Sequence, residues 1–207
     1  MNAMTKLIPL VLMMCLSISF PALAKGPRSA GSMTDQAMLN IAPLSDKEAN
    51  TLLWMREEEK MARDVYGAMY KVWKKRVFKN IAASEQRHMD AVLKKLNLFG
   101  LPDPSLPEAG RFTNPNLQAF YDQLIAQGEQ SYIDALRAGA TIEDVDIRDL
   151  LAAIEATNNL ALKTTYQNLL EGSKNHLRAF VGLLRKQGVE YSPQYIDQAL
   201  FDAILGL

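Results

Sequence analysis

Glu85-Gln86-Arg87-His88 puts a carboxylate and an imidazole three residues apart. On a helix, residues at that spacing share a face. Phe78, Ile81, Val92 and Leu96 recur with the same period, so the shared face is the one a helix over about 76–98 buries. A carboxylate and an imidazole aimed together into an apolar core are costly unless something binds them. A metal ion is the simplest such partner.

The same interruption recurs along the chain. Ser45-Asp46-Lys47-Glu48 is a capping-box pattern. It predicts a first long helix running to about Trp73, with Leu52, Met55, Glu59, Ala62, Tyr66, Met69 and Trp73 facing inward. Glu59 is the polar member of that stripe. Glu57, Glu58 and Lys60 flank it, and of these only Glu58 also borders the stripe. A third long helix is predicted over about 131–157, its inner positions including Leu136, Glu143, Asp146, Leu150 and Ile154. A fourth is predicted over about 158–187, ended by Gly188, with Leu162, Tyr166, Leu169, Ser173, His176, Phe180 and Leu183 inward. His88 and His176 are the only two histidines, and both fall on a face that should be apolar.

Link lengths set the expected architecture. The first and second helices are joined tightly, and so are the third and fourth, so each pair reads as an antiparallel hairpin. Between the hairpins, residues 99–116 are rich in proline, glycine and aspartate, and 117–127 reads as a short amphipathic helix stopped at Gly128. Two hairpins joined by one long crossover predict an all-α, ferritin-like four-helix bundle over 44–188. Residues 189–207 read as a tail with a short helix. Ser192-Pro193 looks like its N-cap and first position, and Ile196, Leu200 and Ile204 share one side.

Residues 1–24 read as a secretory signal. Lys6 is the only charge, Leu7 to Phe20 is apolar, and Ala22-Leu23-Ala24 suits cleavage. The apolar run is short for a membrane span. The expected location is therefore the periplasm or the external medium. Residues 25–43 read as a flexible lead-in. The chain has 23 basic and 23 acidic residues, a balance that argues against nucleic acid or an anionic membrane as partner. Its one cysteine, Cys15, lies inside the signal. Any metal in the mature chain must therefore be held by carboxylates and imidazoles.

Stacked in a bundle, the polar breaks would supply Glu59, Glu85, His88, Glu143, Asp146 and His176 as ligands. Oxygen and nitrogen donors suit iron or manganese, with zinc also accepted. Two ions bridged by carboxylates would use the full set, at roughly 3.5–4 Å separation. With iron, the expected substrates are ferrous ion, oxygen or peroxide. The alternative is a non-catalytic protein that stores, senses or buffers metal, or an interaction module. A buried ion-pair network is a third reading of the acids; it would need Arg63 or Arg87 to reach them. Tyr66 and Tyr166 lie about two turns from ligand positions; they read as core residues with a satisfied hydroxyl, the alternatives being to gate electrons or to hydrogen-bond a ligand carboxylate. The basic run from Lys71 to Arg76 reads as a solvated helix end. Oligomeric state is left open, a homodimer included.

Glu59-Lys60-Met61-Ala62-Arg63-Asp64-Val65-Tyr66 resembles the first ligand helix of rubrerythrin-type ferritin-like proteins, and Ala83-Ser84-Glu85-Gln86-Arg87-His88 resembles the second. The span from about Leu44 to Gln187 is similar to a bacterial and archaeal family of ferritin-like proteins of unknown function. The resemblance rests on Glu57-Glu58-Glu59-Lys60, on Ser84-Glu85-x-x-His88, on Gly139-Ala140-x-Ile142-Glu143-Asp144-x-Asp146-Ile147, and on Gly172-Ser173-x-Asn175-His176-Leu177-Arg178-Ala179-Phe180. It implies a di-metal carboxylate bundle. One departure stands out: where such proteins carry Glu-x-x-His on the fourth helix, this chain has Ser173-Lys174-Asn175-His176. Serine is a poor ligand, so Asp146 is expected to fill the gap from the third helix.

Overall fold

The computed structural model describes residues 43–207. The export signal read at 1–24 lies outside them, as does the lead-in at 25–43 apart from Pro43. The described residues form six helices and no strand: α1 (Asp46–Trp73), α2 (Arg76–Leu98), α3 (Pro115–Gly128), α4 (Tyr132–Ala156), α5 (Leu160–Lys186) and α6 (Gln198–Leu205). None of them is long and apolar enough to cross a membrane.

Local chemistry sets the helix starts. Ser45 accepts the Glu48 N–H while Glu48 accepts the Ser45 N–H at 2.9 Å, closing the capping box. Ser131 and Asn159 cap α4 and α5 in the same way, each through its side-chain oxygen. The links Lys74–Lys75 and Thr157–Asn159 are too short for anything but a reversal, so α1 with α2, and α4 with α5, form antiparallel hairpins. The hairpins also touch each other, α1 against α4 and α2 against α5. Four long helices in this closed ring enclose one core, which includes Leu52, Tyr66, Phe78, Leu96, Leu136, Leu150, Leu162 and Phe180. Helical periodicity places most of the inner positions correctly. Near the end of α5, however, Leu184 is fully buried and Leu183 only partly so, because a four-residue step from Phe180 tracks the core better than a three-residue one.

The crossover is clamped by charges. Glu57 and Lys60 are buried, although the stripe places them outside its inner edge. Lys60 Nζ reaches Asp64 at 2.7 Å, the Glu108 carbonyl at 2.8 Å and the Arg111 carbonyl at 3.0 Å, with the Phe112 ring 4.4 Å away. Glu57 accepts the N–H groups of Thr113 and Asn114 at 2.6 and 3.1 Å. Arg56 holds Asp103 at 2.8 Å and the Met89 carbonyl at 2.9 Å. A loop laid over a helix must find partners for its backbone groups. Here the charged flank of α1 supplies them.

The tail is held from α4. Asp144, with no exposed surface, accepts from the Tyr191 hydroxyl at 2.9 Å and from the N–H groups of Gln194, Tyr195 and Ile196 at 2.6, 3.3 and 2.9 Å. Those bonds keep 192–197 in an irregular bend. The final helix therefore begins later than Ser192-Pro193 suggests: its N-cap is Asp197, which accepts the Leu200 N–H at 2.8 Å. Phe201 and Ile204 are its buried residues, while Ile196 and Leu200 are only partly covered.

Asp144→Ala leaves the Tyr191 hydroxyl and three N–H groups without their acceptor. The expected cost is at least about 3 kcal/mol of stability, since bonds to a charged group contribute ~1.5–3 kcal/mol each. Urea unfolding should show it as a lower midpoint, with faster proteolysis after about residue 190; an unchanged midpoint would mean that the tail is held by packing alone.

Candidate metal centre

Glu59 comes from α1, Glu85 and His88 from α2, Glu143 and Asp146 from α4, and His176 from α5. The fold collects five of these into two triads. Glu59, Glu85 and His88 offer one ligand atom each, all within 4.8 Å of one another, and Glu85, Glu143 and His176 do the same. Glu85 belongs to both. Its Oε2 lies 2.8 Å from His88 Nδ1 and its Oε1 lies 2.8 Å from His176 Nδ1. Glu59 Oε2 is 3.2 Å from His88 Nδ1, and Glu143 Oε2 is 3.5 Å from His176 Nδ1. The imidazoles stack with centroids 5.6 Å apart.

Asp146 stands beside the triads and outside both. Its Oδ2 is hydrogen-bonded to the Ser173 hydroxyl, and its Oδ1 has no partner. Ser173 is completely buried and also bonds the Leu169 carbonyl at 3.0 Å. Tyr166 is remote from this cluster, near Glu48 and Thr157 at the other hairpin turn.

Burial and charge shape the protonation of the metal-free cluster. Burial opposes charge on His88, but Glu59 and Glu85 outweigh it and raise its pKa to about 11. Burial likewise opposes charge on His176, and Glu143 and Glu85 raise it to about 10. Burial alone would raise Glu85, yet the two imidazolium partners bring it down to about 2. Glu59 is pushed up to about 7 by burial, against the pull of His88. Asp146 and Glu58 are pushed well above the carboxylate range, first by burial and then by neighbouring acids.

Three residues support the cluster: Tyr66 takes the ligand-orienting alternative to the plain core role, Glu58 lies at the border of the inner stripe, and Gly172 is not singled out by periodicity. Tyr66, with no exposed surface, donates its hydroxyl to Glu143 Oε1 and so orients that carboxylate. Glu58 is buried with one oxygen on the Trp54 indole N–H at 2.9 Å and the other unpaired, a further buried carboxyl group at the edge of the cluster. Gly172 makes room for His88: a Cβ there would lie 2.5 Å from His88 Nε2. The usable signal is the glycine itself. It sits inside a helix, where it costs about 1 kcal/mol relative to alanine, and it precedes Ser173 and His176.

These residues suit a cation. Glu85 Oε1 and His176 Nδ1 are 2.8 Å apart, yet neither is directed at the other in a hydrogen bond. Glu59 Oε1 and Asp146 Oδ1 are also buried without partners. Apart from the Glu59 Oε2–His88 Nδ1 hydrogen bond, the triads' donors crowd together without bonding one another, an arrangement that suits ligands around a common point. Bonds of roughly 2.0–2.2 Å at right angles put neighbouring donors about 3 Å apart. Neither arginine that the ion-pair reading needs reaches these acids, and the only cations among them are the two protonated imidazoles. Arg63 is engaged by Asp64 and Gln86, at 2.7 and 2.6 Å, and Arg87 donates to the Ala83 carbonyl at 3.0 Å. The triads could therefore hold metal.

The fold and site define an all-helical protein with a buried carboxylate–histidine cluster. Residues 48–206 match the model of the family described as "Uncharacterized protein domain (DUF2202)", and the chain belongs to that family. It is 48% identical over 164 residues to the uncharacterized protein MJ0754 of Methanocaldococcus jannaschii, covering 79% of this chain and 89% of that protein. The crystal structure of hypothetical protein MJ0754 from Methanococcus jannaschii superposes with a TM-score of 0.79 at 47% identity, covering 82% of this chain and 97% of the other.

Two outcomes are expected. Uptake of a divalent ion between pH 6 and 8 should displace about one proton from each histidine, and part of another from Glu59 below about pH 7, so apparent affinity rises by ~100-fold or more per pH unit. Calorimetry in buffers of different ionisation enthalpy counts those protons; release of none would show that the imidazoles are not ligands. Separately, Gly172→Ala should push His88 away from Glu59 and Glu85. In metal-free protein the His88 ring protons, followed by NMR, should then titrate nearer the ordinary histidine range while His176 keeps its raised pKa.

Proposed function

We propose that this protein is a ferritin-like, dinuclear metal-carboxylate protein, exported by its 1–24 segment and active in the periplasm or outside the cell. Glu59 and His88 would hold one ion, Glu143 and His176 the other, and Glu85 would bridge them. Asp146, poised on Ser173, is the reserve ligand. Iron is the preferred metal, with manganese next and zinc accepted. The observation that carries this reading is Glu85, whose two oxygens each lie 2.8 Å from a different imidazole nitrogen.

Two redox-active ions in adjoining half-sites would supply two electrons to one small molecule, which makes oxygen or peroxide the proposed oxidising substrate and ferrous ion a substrate that would be oxidised, one electron each. The chain's own residues arrange the conditions. Glu85 sets the separation of the two half-sites. Tyr66 fixes the Glu143 carboxylate through its hydroxyl. Gly172 lets the His88 ring approach from α2, and the surrounding apolar core excludes bulk water.

One observation favours a non-catalytic role in metal buffering or sensing. Ser173 stands where a bridging carboxylate is expected, and Asp146 is committed to it. Oxygen or peroxide consumption by the iron-loaded protein separates the two readings, because a buffer binds without turnover.

Metal analysis after anaerobic reconstitution should find about two ions per chain in the wild type. Glu85→Ala should hold fewer than one, because both half-sites lose a ligand, and His176→Ala should hold about one. Equal and negligible iron or manganese in all three proteins would remove the basis of the proposal.

A further inference from the structure

A row of aromatic rings leaves the candidate metal centre and ends at an exposed basic turn. Tyr66, whose hydroxyl holds Glu143, packs on Phe180 at 5.3 Å between ring centroids. Phe180 meets Phe78 at 6.0 Å, Phe78 meets Tyr132 at 6.3 Å, and Tyr132 meets Trp73 at 6.4 Å. Every step falls within the range of direct aromatic contact. The rings come from all four long helices. Trp73 is only half-buried, at the turn between α1 and α2.

That turn carries Lys71, Lys74, Lys75, Arg76 and Lys79, with no acid anywhere between Val65 and Ser84. All five are exposed, and none pairs with an acid among the described residues. Lys75 Nζ sits 5.1 Å over the Tyr132 ring and Lys74 Nζ sits 5.8 Å over Tyr70. Only part of this charge suits the fold. Lys71 and Lys74, at the end of α1, complement its dipole. Lys75, Arg76 and Lys79 stand at the start of α2, where positive charge is unfavourable, and that helix has neither an acid in its first turn nor a side-chain cap. The solvated-helix-end reading accounts for the first pair; of the other three, Lys75 has its contact with the Tyr132 ring, while Arg76 and Lys79 have no ion-pair or ring partner among the described residues. Val72, 47% exposed, adds an apolar point beside them.

We propose that this basic turn docks an acidic one-electron carrier protein and that the ring row carries the electron between it and the metal centre. The inference rests on the metal reading above. The chain's only cysteine is Cys15, so the described residues supply no cysteine-ligated redox centre of their own, and reducing equivalents must come from outside. In each transfer the reduced carrier loses one electron and a ferric ion in the centre gains it, becoming ferrous. No covalent bond in this chain forms or breaks. Packed rings shorten the gaps the electron crosses, and the lysines bring an anionic carrier to the ring at the surface.

The test uses reduced plant-type [2Fe–2S] ferredoxin, an acidic protein, as probe. The chain is loaded with ferric iron, its metal content is measured, and its anaerobic reduction is followed by stopped flow. Reduction should slow by about tenfold or more at high salt, and by as much in a Lys74→Glu/Lys75→Glu/Arg76→Glu variant. Reduction by methyl viologen radical cation should not slow in that variant. Trp73→Leu/Tyr132→Leu should slow reduction by ferredoxin with iron content unchanged, and Trp73→Phe/Tyr132→Phe should restore most of the rate. On metal-free protein, calorimetry should detect ferredoxin binding that the charge-reversal variant loses. Full iron content with rates indifferent to both the charge and the ring variants overturns this proposal alone. A wild type that holds no iron overturns it together with the metal reading. Binding to phosphatidylglycerol vesicles without binding to ferredoxin also overturns it, by assigning the basic turn to a membrane surface.

Discussion

The arrangement depends on one carboxylate shared between two imidazoles in a dry interior. Glu85 has no other way to be satisfied: it is buried, and its oxygens face His88 and His176. Metal-free, the cluster survives by protonation. Both imidazoles keep their protons far above the ordinary histidine range, while neighbouring acids such as Asp146 and Glu58 are pushed toward their neutral forms. Such an arrangement is costly to bury, and a cation that displaced the histidine protons would offset the acids in their place.

The rest of the fold keeps that cluster at one depth. The closed ring of four helices brings α2 beside both α1 and α5, so a residue on α2 can face ligands from either side. Small residues set the closest approaches. A Cβ at Gly139 would collide with the Phe180 ring at 2.6 Å, and one at Gly172 would collide with His88. Outside the ring, Arg56, Glu57 and Lys60 hold the crossover to α1, and Asp144 ties the tail to α4. Glu57, Lys60 and Asp144 are buried charges that saturate backbone groups of otherwise irregular segments, and Arg56 holds the Asp103 side chain.

Much of this is legible in the linear chain because helices repeat. Capping residues mark the starts of α1, α4 and α5. A spacing of three and four brings Glu59, Glu85, His88, Glu143 and His176 onto inner faces, where they stand out against leucine, methionine and phenylalanine. What periodicity cannot register is burial by something other than the partner helix. Lys60 and Glu57 lie off the inner stripe, yet the crossover covers them. Asp144 sits in the most polar stretch of α4, yet the tail encloses it completely. Ser192-Pro193 has the form of a helix start, but Asp144 takes the N–H groups that follow.

By itself the sequence determined where the long helices lie, which face of each is buried, and that each buried face carries a polar break. These follow from local propensity and from the fixed 3.6-residue turn. Only the tertiary structure decided which atoms meet: that Glu85 belongs to both triads, that Asp146 turns to Ser173 instead of joining them, and that Tyr66 opens onto a row of rings leading to the lysine-rich turn. The relative depth of two helices, and the side chains that reach across between them, are set by packing and by the segments that tie them together. No periodicity within a single helix contains that information.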